Sequence, residues 1–322
     1  MKARIGMIAV LWILLSAFGA LAQTNYPEKP VRIIVGFTPG SATDITARIF
    51  AQKFNDAWNV PVTVENIPGS GGSVAAERLA RAAPDGYTLM WGANGALTIN
   101  PSLHGRLGYD PVSDFAPISL ALTMPSIIAV NNDVPAHTLA DLLALARAQP
   151  GKLSYATPGV GTPQHVAGEL LKMLAGVDIV HVPYRGAVLT DVIGGRVTAT
   201  LQNAGALLPI VRDGKLRGLA VTSLQRSPNI EGLPTVAESG FPGFEATSWF
   251  ALLAPTGTPT AVIEKVHREV VNVVADADMR ARFAQLGLDP VGTAPGELGA
   301  VIKTDIAKWA GVITSAGIKP GE

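Results

Sequence analysis

Val31-Arg32-Ile33-Ile34-Val35-Gly36-Phe37-Thr38-Pro39-Gly40-Ser41-Ala42-Thr43-Asp44 is the stretch that decides the fold. Its first five residues, four of them β-branched, read as a buried strand. From Asp44 to Phe54 the apolar side chains fall at 45, 49, 50 and 54, one face of a helix. Strand, short loop, helix is then repeated. Val62-Thr63-Val64 and Tyr87-Thr88-Leu89-Met90-Trp91 are further strands separated by a helical stretch from Val74 to Ala83. This β-α-β order predicts a parallel sheet with helices on its faces.

A second series opens near Ser126. Strands are expected over Ile127 to Val130, Leu153 to Ala156, Ile179 to Val182 and Leu216 to Thr222, with helices over Leu139 to Ala148 and Gln164 to Leu174. The strand Ser248 to Leu253 precedes three helices, Thr260 to Val274, Ala277 to Leu286 and Gly296 to Ala316. These helices need a sheet to lie on, and the N-terminal sheet is the nearest, which makes that domain discontinuous.

At the N-terminus, Lys2 and Arg4 precede the apolar run Ile5 to Phe18, and Ala20-Leu21-Ala22 supplies the small residues of a cleavage site. Residues 1–22 read as a secretory signal with Gln23 first in the mature chain. The alternative, an uncleaved anchor, is disfavoured by the short apolar run. No Cys follows, so lipid anchoring is excluded, and the chain is placed in the periplasm. About 300 residues remain, enough for two medium α/β domains. With 25 basic and 25 acidic residues the chain is neutral, and its Lys and Arg are scattered, so a nucleic-acid partner is not expected. The absence of Cys removes disulfides and thiolate chemistry.

Two strand-to-helix loops are the places for chemistry, because open sheets present ligands at the carboxyl ends of their strands. Phe37, Thr38, Gly40, Ser41 and Asp44 lie in the first; Thr157, Gly161, Thr162 and His165 lie in the second. Each brings small residues and hydroxyls to a helix N-terminus, where unpaired N–H groups favour a carboxylate or phosphate. The competing reading makes Ser41, Thr43 and Thr162 caps and turn formers only. Asn94, past a strand end, can donate to an anion without a charge.

From Tyr26 to the C-terminus the chain resembles the Bug family, the periplasmic solute-binding proteins of tripartite tricarboxylate transporters. The resemblance rests on Tyr26 to Val35, Glu65-Asn66-Ile67-Pro68-Gly69, Ala83-Pro84-Asp85-Gly86-Tyr87-Thr88-Leu89 and Tyr109-Asp110-Pro111. Further blocks are Pro150 to Ala156, His181-Val182-Pro183-Tyr184-Arg185-Gly186, Leu219 to Ser223 and Pro234 to Gly240. It implies a two-lobed α/β binding protein of type II (Venus flytrap), joined by two crossing hinge strands and closing on a small organic acid. It also implies delivery to integral-membrane permease subunits, a monomer, no cofactor and no chemistry. Lobe one is expected over 23–124 and 248–322, lobe two over 125–247.

In the family the two loops hold a mono-, di- or tricarboxylate largely through main-chain N–H groups and water. Tyr184 and Asn203 join the candidate set at the second lobe. The chain departs from the pattern in three places. Gly36 and Thr38 stand where Pro is usual, and Ser41 replaces a Gly. The segment after Tyr184-Arg185-Gly186 is shorter. Gln202 and Asn203 stand where an Asp is common nearby. These changes imply a ligand different from the better-known ones.

Rival readings are weaker. Gly69-Ser70-Gly71-Gly72-Ser73 mimics a dinucleotide fingerprint, but Pro68 interrupts the turn and no ribose-binding acid follows Trp91. A helix N-terminus explains those glycines. Gly-x-Ser-x-Gly is absent. The five histidines lack paired metal spacing, and His165 with Glu169 reads as a helix-surface contact. A secreted α/β enzyme acting on a small organic acid is the alternative function.

Overall fold

The computed structural model describes residues 25–184 and 188–320. The expected signal segment and Arg185-Gly186 lie outside the described residues. β1 (Val31–Val35) leads into α1 (Ala42–Trp58), β2 (Val62–Asn66), a 3-10 turn at Ser70–Gly72, α2 (Ser73–Ala80) and β3 (Thr88–Ala93). A π-helical turn, Gly95–Ile99, runs into the short α3 (Asn100–Leu103) and on to β4 (Phe115–Met124). After Pro125 come β5 (Ser126–Val130), α4 (Leu139–Ala148), β6 (Ser154–Thr157), α5 (Pro163–Ala175) and β7 (Val180–Pro183). Next are α6 (Val188–Ile193), β8 (Ala199–Asn203), α7 (Ala204–Arg212) and β9 (Arg217–Val221). The chain returns through β10 (Ser248–Pro255) and finishes with α8 (Thr260–Ala275), α9 (Ala277–Gln285), β11 (Asp289–Pro290) and α10 (Pro295–Ala316).

These strands form two sheets, ordered β11-β4-β10-β3-β1-β2 and β7-β6-β8-β5-β9. Only the β2-β1-β3 and β7-β6-β8 portions are parallel. The expectation of a parallel sheet is corrected elsewhere: β10 runs antiparallel to β3 and β4, and β5 antiparallel to β8 and β9. The reason is topological, since β5 and β10 each enter their sheet from the other half of the molecule.

Both faces of each sheet are covered. In β1, Val31, Ile33 and Val35 belong to one cluster with Phe50, Phe54, Val266 and Val270, while Ile34 belongs to the cluster of Leu79, Leu298 and Ile302 on the other face. This is the period-2 alternation of a strand applied to a sheet buried twice. In the second sheet, Ile128 and Val130 face α4 and α5, and Ile127 and Ala129 face α6 and α7. Helix α10 belongs to both halves: Leu298 and Ile302 pack on the first sheet, Trp309, Val312 and Ile313 among Val166, Ala167 and Leu171. None of the described helices is long and apolar enough to cross a membrane.

Candidate functional site

The two loops singled out by sequence are built alike. Gly40 and Gly161 both take positive φ, +82° and +74°, and each precedes a hydroxyl N-cap. Ser41 Oγ accepts from the Asp44 N–H at 3.2 Å, and Thr162 Oγ1 from the His165 N–H at 3.3 Å. The third helical side chain then reaches back to the glycine: Gly40 N–H donates to Asp44 Oδ2 at 2.9 Å, and Gly161 N–H to His165 Nδ1 at 3.1 Å. Both amides are therefore satisfied by their own helices. The remaining first-turn N–H groups have no carbonyl of their own helix within reach.

Asp44 is buried, and burial acts to raise its pKa. The Arg48 guanidinium, the Gly40 N–H and the Asn66 amide outweigh that and hold the carboxyl below its ordinary value. Asn66 Nδ2 donates both to Asp44 Oδ1 (2.8 Å) and to the Phe37 carbonyl (2.9 Å), fixing the first loop against β2. Under the second loop lies a polar cluster. The His165 and His181 rings stack with centroids 3.8 Å apart, Thr157 Oγ1 lies 2.6 Å from His181 Nε2, and Glu169 accepts from Tyr155 and Lys172 at 2.7 and 2.8 Å.

Between the two sheets is a cleft of about 550 Å³. Phe37, Ser70, Gly71, Gly95, Asn100, Leu103 and His104 line it from the first half, and residues 158–163 with Pro183 and Tyr184 from the second. Of the sequence candidates, Phe37, Gly161, Thr162 and Tyr184 are on its wall. Thr38, Gly40 and Ser41 sit beside Phe37 without lining it. Asp44, Asn94, Thr157, His165 and Asn203 also lie off the wall, their polar atoms bonded within the protein.

Sequence reasoning missed the contribution of Ser70, Gly71 and Asn100. The signal was the glycine run at 69–73, read only as a helix start. Asn100 Nδ2 donates to the Ser70 carbonyl (2.9 Å) and to Ser73 Oγ (2.8 Å), pinning that turn to the cleft wall. A Cβ on Gly36 would come within 2.5 Å of Gly72 Cα, so this turn packs backbone to backbone on the first loop. Across the cleft, a Cβ on Gly161 would come within 2.4 Å of Leu103 Cδ2, so the two halves already touch there. Among the described lining residues there is no Lys, Arg, Asp or Glu. What this wall can offer an anion is backbone N–H groups, the Ser70 hydroxyl and the His104 ring, because the Asn100 amide hydrogens and the Thr162 and Tyr184 hydroxyls already donate within the protein.

Comparison with known proteins agrees with this architecture. The profile of the tripartite tricarboxylate transporter family receptor, TctC, matches residues 46–318. Protein BugT of Bordetella pertussis is 34% identical over 319 residues, 97% of this chain and 98% of that one. The structure of R. palustris Rpa4515 with adipate superposes with a TM-score of 0.79 at 34% identity, covering 92% of this chain and all of that one. MatC from Rhodopseudomonas palustris with bound malate gives 0.74 at 30% identity, covering 89% of this chain and all of that one.

Proposed function

Because the chain belongs to the tripartite tricarboxylate transporter receptor family, and is thus a solute-binding protein and not an enzyme, we propose that its interlobe cleft captures a small carboxylate for delivery to membrane permease subunits. The observation that carries this is the cleft itself, where the second loop faces the Ser70–Asn100 wall with polar groups and, among the described residues, no charged side chain. Neutral donors oriented by helix starts can hold a carboxylate without a cationic clamp. Adipate and malate in two neighbours of similar fold support that ligand class.

In this reading Phe37, Gly71, Asn100, Gly161, Thr162 and Tyr184 contact the ligand, and Asp44 and His165 shape the loops. The lobes comprise residues 23–124 with 248–322 and residues 125–247, the end of α10 packing on the second, and they rotate about the crossings at Pro125 and Thr247 and the part of α10 between Ile302 and Trp309, in the manner of periplasmic binding proteins. The monomer is the working form.

A thermal-shift screen of adipate, malate and mono- and tricarboxylates tests the assignment. A bound acid should raise the melting temperature in step with the logarithm of its concentration, a hundredfold excess over its Kd adding about 2.7 kcal/mol of stability. Small-angle scattering should show compaction with the same acid, and an unchanged radius would argue against closure. No response to any acid would sink the reading. The basic start, apolar run and Ala20-Leu21-Ala22 further support export to the periplasm with cleavage before Gln23. Mass spectrometry of the exported protein should find Gln23 first, and retention of Met1 to Ala22 would refute cleavage.

A further inference from the structure

We propose that Gln164 is a positioning residue that couples the second cleft loop to the hinge; this rests on the reading of the cleft as the binding site. Gln164 is the second residue of α5, two positions after the Thr162 cap, and is only 3% exposed. Its amide lies where the two crossings meet. Nε2 donates to Asn203 Oδ1 at the end of β8 and lies 3.4 Å from both Ser126 Oγ and Ser248 Oγ. Ser126 opens β5 directly after Pro125, and Ser248 opens β10 directly after Thr247. One side chain therefore touches both crossings while standing on the helix whose start forms the loop.

The geometry assigns different duties to these contacts. Ser126 and Asn203 are paired in the second sheet, so they move with α5. Ser248 is paired with Met124 in the first sheet. Rotation of one lobe against the other changes the distance from Gln164 to Ser248 and leaves that to Asn203 nearly fixed. At 3.4 Å the serine contacts are at the long edge of hydrogen-bond range, where a small rotation decides whether they form. Ser248 Oγ also donates to Asn203 Oδ1 at 3.3 Å, and Asn94 Nδ2 holds the Thr247 carbonyl at 3.2 Å, so the Ser248 end is anchored to β3. Gln164 thus ties the orientation of the α5 N-terminus to the hinge angle.

The chain has no cysteine, so spin labels on Gln52→Cys in α1 and Ala144→Cys in α4, both exposed, report the distance between lobes without other labelling. Distance distributions and melting temperatures are recorded for this labelled chain and with Gln164→Leu, Ser248→Ala or both, first without ligand and then with adipate as probe. Coupling predicts that each single variant shifts or broadens the ligand-free distribution and that the double variant shifts it by less than the sum of the two singles, since both remove the Gln164–Ser248 contact while Ser248→Ala also removes the Ser248–Asn203 bond. Where adipate binds, its affinity falls roughly two- to tenfold, the worth of one hydrogen bond. An unchanged ligand-free distribution in both single variants overturns the proposal, as does an additive shift in the double. If Gln164→Leu fails to fold, Gln164→Met, which keeps the length of the side chain and removes only its amide, carries the same comparison. If no acid of the screen changes the labelled chain, the ligand reading fails, and the ligand-free comparison still decides the role of Gln164.

Discussion

His165 holds the second loop only while its ring is neutral. Nδ1 accepts the Gly161 N–H, and a proton on that nitrogen would set donor against donor. Burial is the main force that pushes its pKa down, to about 4; Glu169 opposes it and nearby Lys172 assists. His181, stacked on it, is pushed down to about 3 by burial first, then by His165 and Lys172. The sign follows from proton counting. Below about pH 6.5 the unfolded imidazoles bind protons that the folded ones refuse, so stability rises with pH across this window. It is fully present above about pH 6.5 and is lost progressively as pH falls toward 4. Urea midpoints should therefore decline between pH 7 and pH 5, before ordinary carboxylates protonate. The decline should be shallower in His181→Phe, which keeps a ring on His165 but cannot titrate. Equal slopes in the two proteins would show that His181 is not a source of the decline.

At the scale of elements, the sequence was legible wherever hydrophobic period and punctuation agreed. Helix α4 occupies the expected Leu139 to Ala148, closed at its start by the Thr138 and Asp141 capping box. α1 begins two residues before the expected Asp44 because Ser41, rather than a later residue, is its cap. β4 was not legible. Phe115–Met124 is a central strand covered on both faces, so it shows no alternation, and its direction depends on β10, distant in sequence. The helical turns at Gly95–Leu103 escaped for a different reason. Asn100-Pro101 and Gly95 read as loop punctuation, yet Pro101 sits where the π turn passes into α3, and the Ala96 carbonyl that its missing N–H leaves free accepts from Tyr109 Oη at 2.6 Å. That omission matters for the site, because α3 carries the Asn100 and Leu103 wall of the cleft. Both loops could be found from composition at a strand-helix junction. The part each residue plays could not, since Asp44 and His165 are committed by local hydrogen bonds that no spacing rule distinguishes from ligand contacts.

For the whole molecule, two chain crossings alone would leave the lobes loosely joined, but α10 spans both. Leu298 and Ile302 are buried against the first sheet, and about two turns beyond Ile302 Trp309 is 1% exposed among the α5 side chains of the second. Lys308 lies 4.4 Å over the Trp309 ring and its ammonium donates to the Glu245 carbonyl, next to the return crossing. A rigid helix seated in both cores should make the lobes unfold together. Trp309→Ala removes the seat in the second core and should cost about 3–5 kcal/mol. The loss should fall on cooperativity as well as on stability, because Leu298 and Ile302 still hold the helix to the first lobe. Calorimetry should then resolve two transitions in Trp309→Ala where the parent shows one, the lower belonging to the second lobe. Phe283→Ala is the control: Phe283 is fully buried in the first lobe alone, so its loss costs a similar amount without touching the tie. If Trp309→Ala melts in a single transition, as Phe283→Ala should, the helix merely covers the second lobe, and the crossings themselves transmit the cooperativity.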